Sequence, residues 1–94
     1  MNVAVLGETL PGEDRVALIP ASVSKLEKLG YEVTVVSGAG LPSHFSDEEY
    51  REAGATIAPD AGAALQGAGV VLKVQAPTDE EVAALPEGVV LISL

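Results

Sequence analysis

Cysteine and tryptophan are absent from this 94-residue sequence, and its aromatic residues are one phenylalanine and two tyrosines. Without cysteine there is no disulfide framework and no thiolate metal site, which fits a reducing compartment. Basic residues are also scarce: five lysines and arginines face 14 acidic residues, for a net charge of −9. Nucleic-acid and anionic-membrane surfaces need clustered positive charge, so neither is expected as a partner. No apolar run approaches the roughly 18–20 residues of a membrane span, and the N-terminus lacks the basic start and long apolar stretch of a secretory signal. These absences together predict a soluble chain that is not secreted. The lone His44, in LPSHFS, has no second metal-type ligand close in sequence and reads as a loop histidine without a special role. No Ser-His-Asp or Cys-His arrangement can be assembled.

What the sequence does have is apolar residues, 48% of the total, arranged in short runs suited to one globular domain. Six of the 14 acidic residues fall in two short blocks at helix starts. SDEEY (residues 46–50) and TDEEV (residues 78–82) pair Ser46 with Glu49 and Thr78 with Glu81 at the spacing of a capping box, and carboxylates in a first turn complement the helix dipole. Most of the negative charge is therefore helix-start chemistry and solvated surface.

The periodicity alternates strand and helix. NVAVLG (residues 2–7) predicts a first strand, followed by a long Pro- and Gly-containing connection, ETLPGEDRVALIP, of the kind that often carries function. PASVSKLEKLG (residues 20–30) places Val23, Leu26 and Leu29 on one helical face, with Pro20 in the first turn and Gly30 at the stop. Ile19 offers no oxygen in the capping position. YEVTVVSGAG predicts a second strand with Val33 and Val35 inward, a helix follows over 46–53, then a brief strand ATIA (residues 55–58) and a short helix opened by Asp60 and stopped at Gly67. GVVLKV is the fourth strand, TDEEVAALP another helix, and GVVLISL the fifth strand.

This alternation implies right-handed crossovers and an α/β fold: a three-layer, doubly wound parallel sheet of five strands in the flavodoxin-like order 3-2-1-4-5. Ligands of such sheets bind beyond the carboxyl ends of the strands at the switch point, here between strands one and four. The loop after strand one carries Glu8 and Arg15, and the end of strand four carries Lys73 and Gln75. Two readings of Lys73 follow. It can snorkel out of the sheet to water while Arg15 pairs with Glu13 or Asp14, the reading spacing alone favours, or it can join Arg15 in an anion-binding pair steadied by Glu8. Neither SGAG (residues 37–40) nor GAGVV (residues 67–71) has the third glycine and strand-turn-helix context of a dinucleotide fingerprint.

VAVLGETLPGEDRVALIP, LEKLGYEVTVVSGAG, FSDEEYREAGATI and VLKVQAP, in that order and spacing, resemble the N-terminal segment shared by alanine dehydrogenases and the alpha subunit of proton-translocating NAD(P) transhydrogenase. The resemblance covers nearly the whole chain. Alanine dehydrogenases tend to continue the lysine strand as Lys-Val-Lys-Glu-Pro, whereas Lys73-Val74-Gln75-Ala76-Pro77 looks more like the transhydrogenase. The resemblance implies that residues 1–94 are the first, truncated part of a larger protein whose dinucleotide-binding domain, with its glycine fingerprint, begins after Leu94. It implies a parent that passes hydride between NADH and NADP+ with NAD and NADP as cofactors, and a fragment that by itself is not catalytic and binds no cofactor. It also implies partners: the dinucleotide-binding domain, and membrane and NADP-binding components that would keep a cytoplasmic protein peripheral to the inner membrane. Homodimerisation or self-association is expected as well, because an edge position for strand five would leave Val89 and Leu91 short of cover. In alanine dehydrogenases, the residues matching Arg15 and Lys73 hold the substrate carboxylate, which favours the paired reading. Two alternatives remain: an alanine dehydrogenase N-terminal domain, or a non-catalytic interaction or scaffold module.

Overall fold

The structure, a computed structural model, describes residues 2–7, 16–74, 83 and 88–93. Five strands, β1 (Asn2–Val5), β2 (Glu32–Val36), β3 (Thr56–Ala58), β4 (Val70–Lys73) and β5 (Val90–Ser93), form one sheet in the order β3-β2-β1-β4-β5. Every adjacent pair is parallel, with Val3 opposite both Val33 and Val70. The expected order therefore holds, with the three-residue β3 at one edge and β5 at the other.

Side chains on β1 alternate between two cores. Val3 and Val5 join Val23, Val33, Val35 and Tyr50 on one face, while Ala4 and Leu6 join Val71, Ala58, Ala64 and Leu65 on the other. This period of two, together with burial on both sides, is what a central parallel strand requires. The chain moves outward from β1 to β3 through α1 (Pro20–Lys28) and α2 (Asp47–Glu52), then returns across the sheet through α3 (Ala61–Leu65). Right-handed crossovers in opposite directions put α1 and α2 on one face and α3 on the other.

The helix ends follow local chemistry. Ser46 accepts a hydrogen bond from the Glu49 N–H at 3.2 Å and donates its own N–H to Glu49 Oε1 at 3.2 Å, completing the expected capping box. Asp60 caps α3 through the Ala63 N–H at 2.8 Å. Ile19 supplies no side-chain cap, and α1 relies on Pro20 in its first turn and on Lys25 and Lys28 in its last. Gly30 and Gly54 end α1 and α2 with φ of 94° and 110°, and the bonds Tyr31 N–H to Leu26 O and Ala55 N–H to Tyr50 O close the same C-terminal motif at each. The expected helix over 78–86 and its capping box at Thr78 and Glu81 lie outside the described residues, apart from Ala83, which is helical.

Two apolar expectations change. Leu29, placed with Val23 and Leu26 on the buried face of α1, is 73% exposed. It is the C-cap, one turn beyond Leu26, and Leu26 already borders an open groove of about 250 Å³ lined also by Val3, Tyr31, Val70, Leu72 and Ile92. On β5, Val89 and Leu91 do not lack cover: they pack against the α3-side core, and Val90 and Ile92 are the exposed residues instead. The register explains it. Val90 sits opposite Val70 and Ile92 opposite Leu72, so they share the α1 side, where Val70 and Leu72 still pack against the core but Val90 and Ile92 are not part of it.

Candidate functional site at the carboxyl edge of the sheet

The switch point lies where the sheet order reverses, between β1 and β4. Leu6 extends the pairing past β1 by donating its N–H to the Leu72 carbonyl at 3.3 Å. Gly7 then passes beside the turn that follows β2: a Cβ on Gly7 would lie 3.7 Å from Ala39 Cα. The exits of β1, β2 and β4 therefore share one edge.

Lys73 is the last residue of β4, opposite Ser93 of β5, and is 1% exposed. Its place two residues after Val71 puts it on the α3 side of the sheet. At this depth its ammonium does not reach open solvent, so snorkelling to the surface does not describe it. A buried ammonium is stable only with polar or charged company. Lys73 is engaged in an interaction within the fold, and no buried side-chain nitrogen or oxygen among the described residues is left without a hydrogen bond. It is the one buried charged side chain among the described residues. Glu8, Arg15 and Gln75, the other members of the expected site, lie outside the described residues. Arg15 immediately precedes Val16, and Gln75 follows the buried Val74.

Two anchors brace this edge, and neither was picked out from the sequence. Asp47, the first residue of α2, accepts the Ser37 hydroxyl at 2.6 Å and the Gly38 N–H at 2.8 Å, which ties the turn after β2 to the helix. The Gly38 N–H, and then the Ser37 hydroxyl, hold the Asp47 carboxyl below the usual carboxylate range. Tyr50 is fully buried and donates its hydroxyl to the Leu18 carbonyl at 2.8 Å. Burial, with smaller contributions from Glu49 and Asp47, pushes the phenol up to about 12, so it remains a neutral donor throughout the physiological range. Gly40 presses against this ring, where a Cβ would fall 2.5 Å from Tyr50 Cε2. One signal was available: Tyr50 is the only large apolar side chain in DEEYRE, so α2 had no other residue with which to reach the core.

Among the described residues no group of His, Cys, Asp or Glu could hold a metal ion. His44 is exposed and closes the short helical turn Leu41–Ser43 with φ of 68°. Among the described residues the site thus offers one buried basic side chain, Lys73, at a strand end.

The sequence model of the "Alanine dehydrogenase/PNT, N-terminal domain" family matches residues 4–94. The first of the polypeptides that make up NAD(P) transhydrogenase subunit alpha of Rhodospirillum rubrum is 47% identical, in an alignment covering 98% of this chain and 25% of that protein. Alanine dehydrogenase of Bacillus subtilis (strain 168) is 41% identical over 99% of this chain and 24% of its own length. The crystal structure of transhydrogenase from Sinorhizobium meliloti superposes with a TM-score of 0.93 at 40% identity, over 99% of this chain and 27% of that one. The chain thus spans about a quarter of the length of these relatives. With the parallel order β3-β2-β1-β4-β5, the Lys73 strand and a match over nearly every residue, the chain belongs to the alanine dehydrogenase/PNT N-terminal domain family.

Proposed function

We propose that these residues form the N-terminal part of the NAD(H)-binding subunit of a proton-translocating NAD(P) transhydrogenase, which moves hydride between NADH and NADP+. The observation that carries this reading is Lys73, buried at the carboxyl end of β4 beside the β1 exit, in a chain more similar to the transhydrogenase of Rhodospirillum rubrum than to the alanine dehydrogenase of Bacillus subtilis. The dinucleotide-binding fingerprint, absent from these 94 residues, would be supplied by a further domain, and membrane and NADP-binding components would be the partners. Such an assembly would hold this cytoplasmic part against the inner membrane from outside the bilayer. Among the described residues no helix is long and apolar enough to cross a membrane.

Within that subunit Lys73 and Arg15 form an anion site, with Glu8 offsetting the repulsion between the two cations and Gln75 adding a neutral donor. Pyruvate or inorganic phosphate added to the chain is expected to shift the NMR signals of Gly7, Arg15 and Lys73. Lys73→Met, which keeps an apolar stem and loses the ammonium, is expected to abolish the shifts and, because it removes a buried, engaged side chain's charge, to lower stability by about 1–3 kcal/mol. Arg15→Gln should weaken them. Shifts that persist unchanged in a folded Lys73→Met variant would rule the site out.

The exposed face of β5 bears on assembly. Val90 and Ile92 are 55% and 43% exposed beside the apolar groove, and edge strands with apolar surface invite pairing. Residues 1–94 alone are therefore expected to self-associate, with a Val90→Lys/Ile92→Lys variant shifted towards monomer. Sedimentation velocity showing a clean monomer of the parent sequence at high concentration would contradict this.

A further inference from the structure

We infer that the groove between α1 and β5 seats an amphipathic helix from the part of the parent subunit that follows these 94 residues. The inference rests on reading residues 1–94 as the first part of a longer subunit, and not on which reaction that subunit performs. Its starting point is uneven cover on the two faces of the sheet. β4 is an interior strand, paired with β1 and β5, and an interior parallel strand is ordinarily buried on both sides. On the α3 side it is, since Val71 is fully buried. On the α1 side Val70 and Leu72 touch the core yet remain half-buried, and beyond them Val90 and Ile92 are exposed. Val70 and Leu72 form the floor of an open apolar groove of about 250 Å³, with Leu26 and Tyr31 on one bank and Ile92 on the other.

Helix spacing decides what fits there. On this face α2 packs against β3, and α1 against β2 and the valines of β1, so the two helices stand in a row along the sheet. Packed helices lie roughly 8–10 Å apart, about the width of two strands. The next place in the row is over β4 and β5. A loop in that place would bring backbone N–H and C=O groups against an apolar floor, whereas a helix satisfies them internally. The described helices cannot fill it, because Val23, Tyr50 and Leu65 already bury the apolar sides of α1, α2 and α3. A right-handed crossover from β4 to β5 belongs to the α3 face. A second copy brings the same buried helix faces and so has no helix to lend. The relatives do have further chain to supply one, since the matched N-terminal domain is about a quarter of their length. The occupant's apolar residues should recur at intervals of three and four, facing Val70, Leu72 and Ile92.

The test uses single cysteines, since residues 1–94 contain no thiol of their own. Ile92→Cys probes the bank of the groove, and Glu52→Cys, exposed at the end of α2, is the control. Maleimide labelling at each position is followed by peptide mass spectrometry in residues 1–94 and in the full-length subunit, over a range of protein concentrations. Ile92→Cys is expected to label about tenfold more slowly in the full-length subunit than in dilute residues 1–94, because a covered thiol reacts only when its cover opens. Glu52→Cys should label alike in both. A benzophenone maleimide attached at Ile92→Cys should then cross-link to one segment beyond residue 94, at residues three and four apart. Equal labelling of Ile92→Cys in the two chains, or a native gene product that ends at Leu94, would overturn the inference. Protection that grows with concentration, with cross-links returning to residues 1–94, would give the groove to a second copy and overturn it as well. Protection and helix-spaced cross-links in a subunit that moves no hydride between NADH and NADP+ would uphold the helix and sink the transhydrogenase reading instead.

Discussion

Gly40→Ala is expected to destabilise the protein by about 3 kcal/mol, at the upper end of what overpacking costs. The backbone is not the cause, because Gly40 has φ of −91° and ψ of −6°, which alanine adopts readily. The cause is contact: the new Cβ would sit 2.5 Å from Tyr50 Cε2, 2.7 Å from its oxygen and 3.0 Å from Phe45 Cβ. A surface side chain would swing aside. Tyr50 cannot, because its ring is fully buried and its hydroxyl is committed to Leu18. For a domain of this size each kcal/mol lowers the melting temperature by roughly 4–8 °C, so a drop of about 12–24 °C should appear in thermal unfolding followed by circular dichroism. In a double-mutant cycle, Tyr50→Leu should cost less in the Gly40→Ala background than alone, since the smaller side chain relieves the clash. A fall of only a few degrees for Gly40→Ala would show that the turn after β2 can move away from the ring.

The second large effect is a contrast between two valines. Val35→Ala is expected to cost about 2–3 kcal/mol, from two buried methyl groups and the cavity they leave. Val90→Ala should stay within about 0.5 kcal/mol, as exposed substitutions do. Val35 is fully buried in β2, between Val5 of β1 and Ile57 of β3, while Val90 is 55% exposed on the edge strand. Urea midpoints at low protein concentration report the difference if the slopes are unchanged. Equal losses at the two positions would mean that the face of β5 carrying Val90 is covered in solution.

That contrast also marks how far reading residues in order can go. GVVLKV and GVVLISL look alike, as runs suited to burial on both faces, and the difference between their strands is one of neighbours. β4 has strands on both sides, whereas β5 is an edge whose α1-side residues meet no helix among the described residues. Lys73 was legible to a similar depth. The position of Lys73 at the end of β4 followed from strand spacing and the crossover rule. Its burial did not, because 1% exposure depends on what packs over the strand end in the folded chain.

Features set within a few residues were readable from the chain. The Ser46–Glu49 capping box, the Asp60 cap, the glycine stop at Gly30, and the alternation of Val33 and Val35 each depend on contacts or geometry spanning only a few residues. Even the strand order followed, because connection handedness leaves few topologies for alternating strands and helices. Folding alone decided the rest: which face of β5 is exposed, Tyr50 reaching Leu18 across 32 residues, Asp47 bracing the turn after β2, and the space denied to any side chain at Gly40. These depend on surfaces brought together by packing, and no local pattern encodes a partner that lies tens of residues away.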